Sequence, residues 1–310
     1  MNNPNKTSRM TKETGTRQHS IPQFYQRRFI TDNSGLIWVY EKDSEPRQMS
    51  VRNTAMSIDF YAFTKDSKFD NRTVEKGLEK IDSTGARIIH KLQKAQTLTD
   101  QERHNLSEFI SVMWRRTPQH KHEAEQRAAE MMPDFFRQHD EEWLIKELKK
   151  HRVPPGDGKV PFEEQRIRLA RVRSDYLQSV PDFLFPRNVI RDSMFERVLY
   201  AMDWVFFKCT DDTDFLTSDN PVIFNKGTGL KDRNAVIIFP LTRTLLLQAM
   251  WISNYQGRFV QLENSQIRTL NKYVVRNAHR QVYASRRSRV LTDFVTKWLG
   301  TFETGAPTSN

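Results

Sequence analysis

The chain has 310 residues, of which 37% are hydrophobic and 28% are charged, and its formal net charge is +11. Its 20 Phe, 8 Tyr and 6 Trp supply enough large side chains for a core, which excludes a wholly disordered chain. The single cysteine, Cys209, excludes an intrachain disulfide and any zinc or iron–sulfur site built from several thiolates. We expect Cys209 to be a small buried hydrophobe.

Basic charge is concentrated at the two ends of the chain. Residues 1–30 hold six Lys and Arg against one Glu, and residues 276–310 hold six against two acidic residues. Such a surface attracts polyanions, which favours nucleic acid as a partner, with an anionic membrane surface as the weaker alternative. Many basic proteins bind neither, so this interpretation stays open. Residues 1–18 lack the apolar stretch of a signal peptide, and the apolar residues 235–252 are interrupted by Pro240 and Arg243. We therefore expect a cytoplasmic protein without a transmembrane segment.

The first part of the chain combines extended segments with two long helices. Alternating or aromatic-rich runs predict the extended segments, and apolar residues at spacings of three, four and seven predict the helices. The predicted elements are a disordered basic arm at residues 1–18, a short amphipathic segment at 19–30 and extended pieces at 36–40 and 59–63. Two helices follow, one at 70–96 and one from Thr99 or Asp100 to about 118.

Strands are predicted mainly in the last third of the chain, after a charged helical excursion at residues 119–181. The further predicted elements are a helix at 188–202, strands at 205–209, 221–224, 236–239 and 244–249, a helix at 263–278, a strand at 281–284, a short helix ending at 299, and a flexible tail at 301–310. This order predicts an α+β fold with a central helical layer packed on a mixed or antiparallel sheet built from N- and C-terminal strands. We expect a single domain over residues 19–300.

Standard catalytic signatures are missing: there is no Walker A loop, GxGxxG, HExxH or GxSxG sequence. Pro133-Asp134 followed by Glu147-Leu148-Lys149 has the PD…ExK spelling of a large nuclease superfamily. That chemistry places its carboxylates on a strand hairpin around a shared metal. Residues 134–150 instead have the pattern of an amphipathic helix rich in Glu and Lys, so we interpret them as a solvated helix face.

A polar turn between two apolar strands is a candidate site. Residues 217–220 present two hydroxyls, the Asp219 carboxylate and the Asn220 amide, and Pro221 fixes the exit of the turn. A metal or substrate site needs such groups on rigid supports. The same residue types also form Asx-turns that only shape a connection, so both interpretations stay open.

Acidic residues on the first long helix form another candidate. Glu75, Glu79 and Asp82 are spaced at i, i+4 and i+7, which aligns them beside the apolar stripe of that helix. Paired carboxylates at the border of a core could hold a divalent cation. They could equally form a solvated edge that faces Lys76 and Lys80.

Two segments resemble the signatures of the bacterial domain-of-unknown-function family 4238. Residues 19–29, HSIPQFYQRRF, are similar to its N-terminal signature H-x-[VI]-P-x-x-Y-L-x-x-F, and residues 215–222, FLTSDNPV, with Phe239 to Thr242, are similar to its second signature. Glu75, Glu79 and the Arg115 to Pro118 segment match its helical core. The sequence departs from the family pattern at Gln26, where Leu is usual, and at Thr242-Arg243, where Ser-Pro is usual.

This resemblance groups polar signature residues into one hypothetical site of His19, Glu75, Glu79, Arg115, Asp219 and Asn220. In a metal-dependent nuclease or phosphodiesterase, Glu75, Glu79 and Asp219 would hold Mg²⁺ or Mn²⁺. His19 would orient or deprotonate water, and Arg115 would stabilise charge on the phosphate. The alternative is a non-catalytic nucleic-acid or protein binding module whose signature residues form a structural polar network.

Overall fold

The computed structural model describes residues 17–32, 34–58, 71–123, 126, 193–209, 213–224 and 229–301. The strands are β1 Arg17–His19, β2 Leu36–Tyr40, β3 Arg47–Ser50, β4 Met56–Ile58, β5 Asp203–Lys208, β6 Thr217–Ser218, β7 Ile223–Phe224, β8 Val236–Thr242, β9 Leu245–Met250, β10 Phe259–Gln261 and β11 Val282–Ala284. The helices are α1 Gln23–Gln26, α2 Asn71–Gln93, α3 Asp100–Arg115, α4 Met194–Ala201, α5 Asn264–Asn277 and α6 Arg289–Trp298.

One sheet joins the two ends of the chain. Its order is β3-β2-β11-β6, and all neighbours are antiparallel. Trp38 of β2 pairs with Ala284 of β11, and Tyr283 of β11 pairs with Thr217 of β6. This terminal sheet confirms the prediction that N- and C-terminal strands share a sheet. The short pair of β1 and β4 lies at the start of the fold.

A second, five-stranded sheet has the order β10-β5-β9-β8-β7. β10 and β5 are parallel and the other neighbours are antiparallel, so this sheet is mixed. Side chains of β8 alternate between two apolar clusters: Ile237 and Phe239 belong to one cluster and Ile238 to the other. Burial on both faces explains why β8 and β9 read as nearly continuous apolar runs.

Helices α2, α3 and α4 cover one face of the five-stranded sheet, and α5 and α6 lie against the other cluster. Phe239 of β8 contacts Phe109 of α3 with ring centroids 6.2 Å apart and stacks on Tyr25 of α1 at 5.4 Å. The predicted α+β fold is thus confirmed, and the structure adds the second helical layer formed by α5 and α6.

The two long helices approach closely at Gly85 of α2. A Cβ atom at this position would lie 2.6 Å from Cγ of Phe109, closer than nonbonded carbons can approach. Helix α3 begins at a capping box, in which Thr99 Oγ1 accepts from the Glu102 amide and Glu102 accepts from the Thr99 amide. These features fix where α3 begins and how it crosses α2.

Several predictions differ from the structure in their bounds or fall outside it. β1 includes residues 17 and 18, which the sequence assigns to the arm, and β6 covers residues 217 and 218, which the sequence assigns to a turn. β3, β4 and β10 also have no predicted counterpart. Cys209 is half-buried rather than fully buried. Residues 1–16 and 59–63, most of the 119–181 excursion with its PD…ExK spelling, and 302–310 lie outside the described residues. Within the described residues, no helix is long and apolar enough to cross a membrane.

Candidate functional site

The turn between β6 and β7 buries Asp219 at 6% exposure. Its carboxylate faces the segment that connects α5 to β11. Oδ1 accepts from the His279 amide at 2.8 Å, and Oδ2 accepts from the amides of Arg280 and Gln281 at 2.8 and 3.1 Å. The Asp219 amide in turn donates to the Gln281 carbonyl at 3.1 Å. One carboxylate therefore satisfies three main-chain donors that follow the end of a helix.

The surroundings of Asp219 perturb two ionisable groups. Burial raises the pKa of the Asp219 carboxyl above its ordinary value, and the amide donors and His279 offset this rise only in part. Burial, together with the charges of Asp219 and Glu41, raises the pKa of Tyr283 well above its ordinary value. The protonated Tyr283 hydroxyl donates to Gln281 at 2.8 Å, and Gln281 donates to Glu41 at 2.6 Å. Hydrogen bonds thus tie the turn to β11 and to the end of β2.

Asn220 connects the same turn to α5 and to the segment that follows α3. Its Nδ2 donates to Gln119 Oε1 at 2.8 Å and to the Asn277 carbonyl at 3.0 Å. Asn277 reciprocates, since its Nδ2 donates to the carbonyls of Asn220 and Val222 at 2.9 and 3.2 Å. Both ends of the turn are therefore held by side-chain amides, as a structural network requires.

The N-terminal signature contacts the second signature through Tyr25. The buried Tyr25 hydroxyl donates to the Pro240 carbonyl at 2.7 Å and lies 2.8 Å from Thr217 Oγ1. Burial raises the pKa of this hydroxyl, so Tyr25 remains a neutral donor. Gln26, where the resemblance implies Leu, is fully buried, donates to the Ile21 carbonyl at 3.0 Å and accepts from Thr54. These hydrogen bonds satisfy both ends of its buried amide.

His19 lies on β1, at the start of the described chain. Its Nδ1 is 3.2 Å from the Thr54 carbonyl, and its Nε2 is 3.1 Å from Gln23 Nε2. The neighbouring Gln18 donates to Glu75 Oε1 at 2.9 Å. Strand β1 therefore brings His19 near the N-terminal part of α2.

Both arginines at the end of α3 are buried. Arg115 is 5% exposed and donates from Nε to the Ser111 carbonyl at 3.3 Å, so the guanidinium that we assigned to a phosphate lies inside the protein. Arg116 is 1% exposed and pairs with Asp82 of α2 at 3.1 to 3.2 Å. Burial raises the pKa of the Asp82 carboxyl, and Arg116 opposes the rise. This ion pair fastens α2 to α3.

The acidic residues of α2 have separate surroundings. Glu75 accepts from Gln18, Glu79 is exposed, and Asp82 pairs with Arg116. Within the part of the chain that the structure describes, no three His, Cys, Asp or Glu side chains form a group that could hold a metal ion. The predicted ligands Glu75, Glu79 and Asp219 are therefore not brought together there.

Several residues that organise this region were not predicted from the sequence. Asn277 and Gln119 hold Asn220. The signal for Asn277 would have been a polar residue on the apolar face of its helix, whereas Gln119 lies in a polar segment that gives no such signal. Asp214 is also buried: it pairs with Arg243 at 3.0 Å and with Arg286 at 3.3 Å. Its position just before the apolar Phe215 gave no indication of these partners.

Cations surround Trp298 where α5 and α6 pack together. Lys272, Arg276 and Lys297 lie 4.6, 5.7 and 5.0 Å from the centre of its ring. Arg268 continues the same stripe of α5, because residues 268, 272 and 276 are spaced by four. Residues 263–301 hold eight Lys and Arg against two acidic residues, Glu263 and Asp293. We call the following set the C-terminal basic face: Arg268, Lys272, Arg276, Arg286, Arg289 and Lys297.

Comparison with known proteins identifies one family. The model of the family described as "Protein of unknown function (DUF4238)" matches residues 17–288 of this chain. No curated protein and no solved structure matches the chain. The matched range includes both signatures and ends just before α6.

Proposed function

Because the chain belongs to this family of proteins of unknown function, and its signature residues lie in buried hydrogen bonds, we propose that it is a non-catalytic nucleic-acid-binding module. The C-terminal basic face binds the phosphate backbone. The signature residues hold the terminal sheet, α5 and the turn after β6 in place. The observation that carries this proposal is the convergence of three cations on the ring of Trp298.

Charge and aromatic surface occur together on this face, as single-stranded nucleic acid requires. Lys and Arg neutralise phosphates and release counterions, while aromatic rings stack on bases without sequence preference. Trp298 is half-buried, and its ring lies beside the three cations. Arg289 and Arg268 are exposed at the start of α6 and on α5. The face therefore combines an electrostatic surface with one stacking position.

The Asp219 geometry favours a binding module over a metal-dependent nuclease. A metal ligand needs a carboxylate lone pair directed toward the ion. Here the carboxylate oxygens are directed toward three amides of the chain itself. A cation that displaced these hydrogen bonds would leave part-buried amides unpaired, which costs about 1 kcal/mol for each group.

Fluorescence anisotropy with a labelled 20-nucleotide single strand tests the proposal across a series of salt concentrations. Each lost phosphate contact reduces the slope of log K against log salt by roughly 0.7 for single strands. We expect the double variant Arg268→Gln and Arg289→Gln to bind more weakly and to reduce the slope by about 1.4. The matched control, Arg233→Gln with Arg258→Gln, removes the same charge from two exposed arginines outside this face and should bind like the wild type.

Three outcomes would overturn the proposal. The first is no measurable binding at low salt, and the second is equal weakening by the control pair. The third is binding only to vesicles that contain phosphatidylserine, which would assign the basic face to a membrane surface. Cleavage of the strand in the presence of Mg²⁺ would contradict the non-catalytic part.

A further inference from the structure

A cavity of about 350 Å³ lies between α5, the start of α6 and the strands that precede them. Its volume is near the lower end of the range for small-molecule sites, about 300–1,000 Å³. Apolar side chains form much of its wall, and Val290 at the start of α6 is 78% exposed. The apolar lining residues are Leu216, Ala284, Val290, Leu291 and Phe294. This lining suits a ligand with a small hydrocarbon body.

The charge in the cavity is positive. Asp214 is its acidic lining residue, but the Asp214 carboxylate already pairs with Arg243 and Arg286 and accepts from Ser285. Arg268 also lines the cavity and is exposed to solvent. Within the described residues, no hydrogen bond or ion pair engages the Arg268 side chain. Its charge is therefore available to a ligand.

Two polar side chains of the cavity wall already make hydrogen bonds within the protein. Both ends of the Asn271 side-chain amide are hydrogen-bonded: Oδ1 accepts from the Leu216 main-chain amide and Nδ2 donates to the Asp214 carbonyl, both at 2.9 Å. Ser288 Oγ accepts from the Leu291 amide at 3.3 Å. A sugar or a nucleobase would place polar groups against the apolar wall, which disfavours both classes.

From the cavity volume, its apolar wall and the unengaged Arg268, we infer that this cavity binds a small organic acid with an apolar body. The carboxylate pairs with Arg268 at the rim, and a short aliphatic chain or single ring lies against Leu291 and Phe294. A guanidinium pairs with a carboxylate through two parallel hydrogen bonds, which fixes the orientation of the acid. The inference shares Arg268 with the C-terminal basic face, but a free acid needs neither Trp298 nor the other cations of that face, so octanoate binding can be present whether or not nucleic acid binds.

Isothermal titration calorimetry of the full chain with butanoate, hexanoate and octanoate tests the inference. Each added methylene that enters the cavity should tighten binding about fourfold until the cavity is filled. Octylammonium, which has the same chain and the opposite charge, should not bind, and inorganic phosphate, which lacks the apolar body, should bind at least tenfold more weakly. AMP distinguishes a nucleotide from an organic acid and should also bind more weakly than octanoate.

Variants of Arg268, at the rim of the cavity, test whether the acid binds there. Arg268→Glu should weaken octanoate binding at least tenfold, and Arg268→Lys should restore much of it. Arg258→Glu, which makes the same reversal at an exposed arginine outside the cavity, should bind octanoate like the wild type. Because Arg268 is exposed, these variants are expected to keep the wild-type melting temperature.

The inference is overturned if octanoate does not bind at millimolar concentration, or if affinity is independent of chain length. Equal affinity of Arg268→Glu and the wild type would show that the acid binds elsewhere. If AMP bound more tightly than octanoate, the ligand of the cavity would be a nucleotide and not an organic acid.

Discussion

Replacing Asp219 by Ala removes the acceptor of three main-chain hydrogen bonds, at 2.8, 2.8 and 3.1 Å. An amide donor left unpaired in a buried position costs about 1–3 kcal/mol. His279 and Arg280 are exposed residues, so water can reach part of this segment and the lower limit applies. Three donors at about 1 kcal/mol each give a loss of roughly 3 kcal/mol in the free energy of unfolding. At about 2.1 cal/mol/K of unfolding entropy per residue, a chain of 310 residues converts this loss into a fall in melting temperature of about 5 °C.

Differential scanning calorimetry of the wild type and Asp219→Ala, each with and without Mg²⁺ or Mn²⁺, measures this effect. Asp293→Ala is the matched control, because Asp293 is an exposed Asp on α6, and it should melt within about 1 °C of the wild type. We expect neither metal to stabilise the wild type selectively. A variant that melts at or above the wild-type temperature, together with metal stabilisation of the wild type alone, would refute the structural role of Asp219 and favour a metal site.

Two further predictions concern the pH dependence of stability and helix packing. Burial raises the pKa of Asp219 in the folded protein above its pKa in the unfolded chain. Protonation of Asp219 therefore stabilises the fold fully at a pH below the unfolded-state pKa, and this contribution is lost as pH rises through the folded-state pKa. The melting temperature of the wild type minus that of Asp219→Asn should therefore be larger at pH 4 than at pH 7. A smaller value at pH 4 would show that the amides hold the carboxylate ionised. Gly85→Ala should lower the free energy of unfolding by about 1–2 kcal/mol through overlap with Phe109, whereas Gly229→Ala, with nothing within 4 Å of its Cβ, should change it little. Urea titration measures both glycine variants, and a Gly85→Ala protein as stable as the wild type would contradict the close approach.

The sequence predicts best those elements whose signal is repeated along many residues. Helices α2 and α3 carry several apolar positions each, and the cap at Thr99 adds a local start signal. β8 and β9 follow from continuous apolar runs. By contrast, β4 and β10 have three residues each, too few for alternation to be recognised.

The site could be predicted only as a set of residues, since their partners leave no pattern in the sequence. Asp219 binds main-chain amides, which every residue except proline possesses. Tyr25 counts as apolar in a hydrophobic pattern, yet its hydroxyl connects the two signatures. The contact between Asn220 and Gln119 joins residues 101 positions apart and depends on the tertiary fold.

The terminal sheet makes folding depend on the order in which the chain is synthesised. β2 pairs with β11, and the register joins Trp38 to Ala284, so the strands are separated by about 245 residues. At roughly 5–20 residues per second, ribosomes need about 12–50 s to reach β11 after β2 has been made. Throughout that interval the edge of β2 that later receives β11 lacks its native partner and can pair with other nascent chains. Asp219 in turn lacks its three amide donors until residues 279–281 are made, about 60 residues later, so the turn after β6 can reach its native environment only when the last tenth of the chain is synthesised.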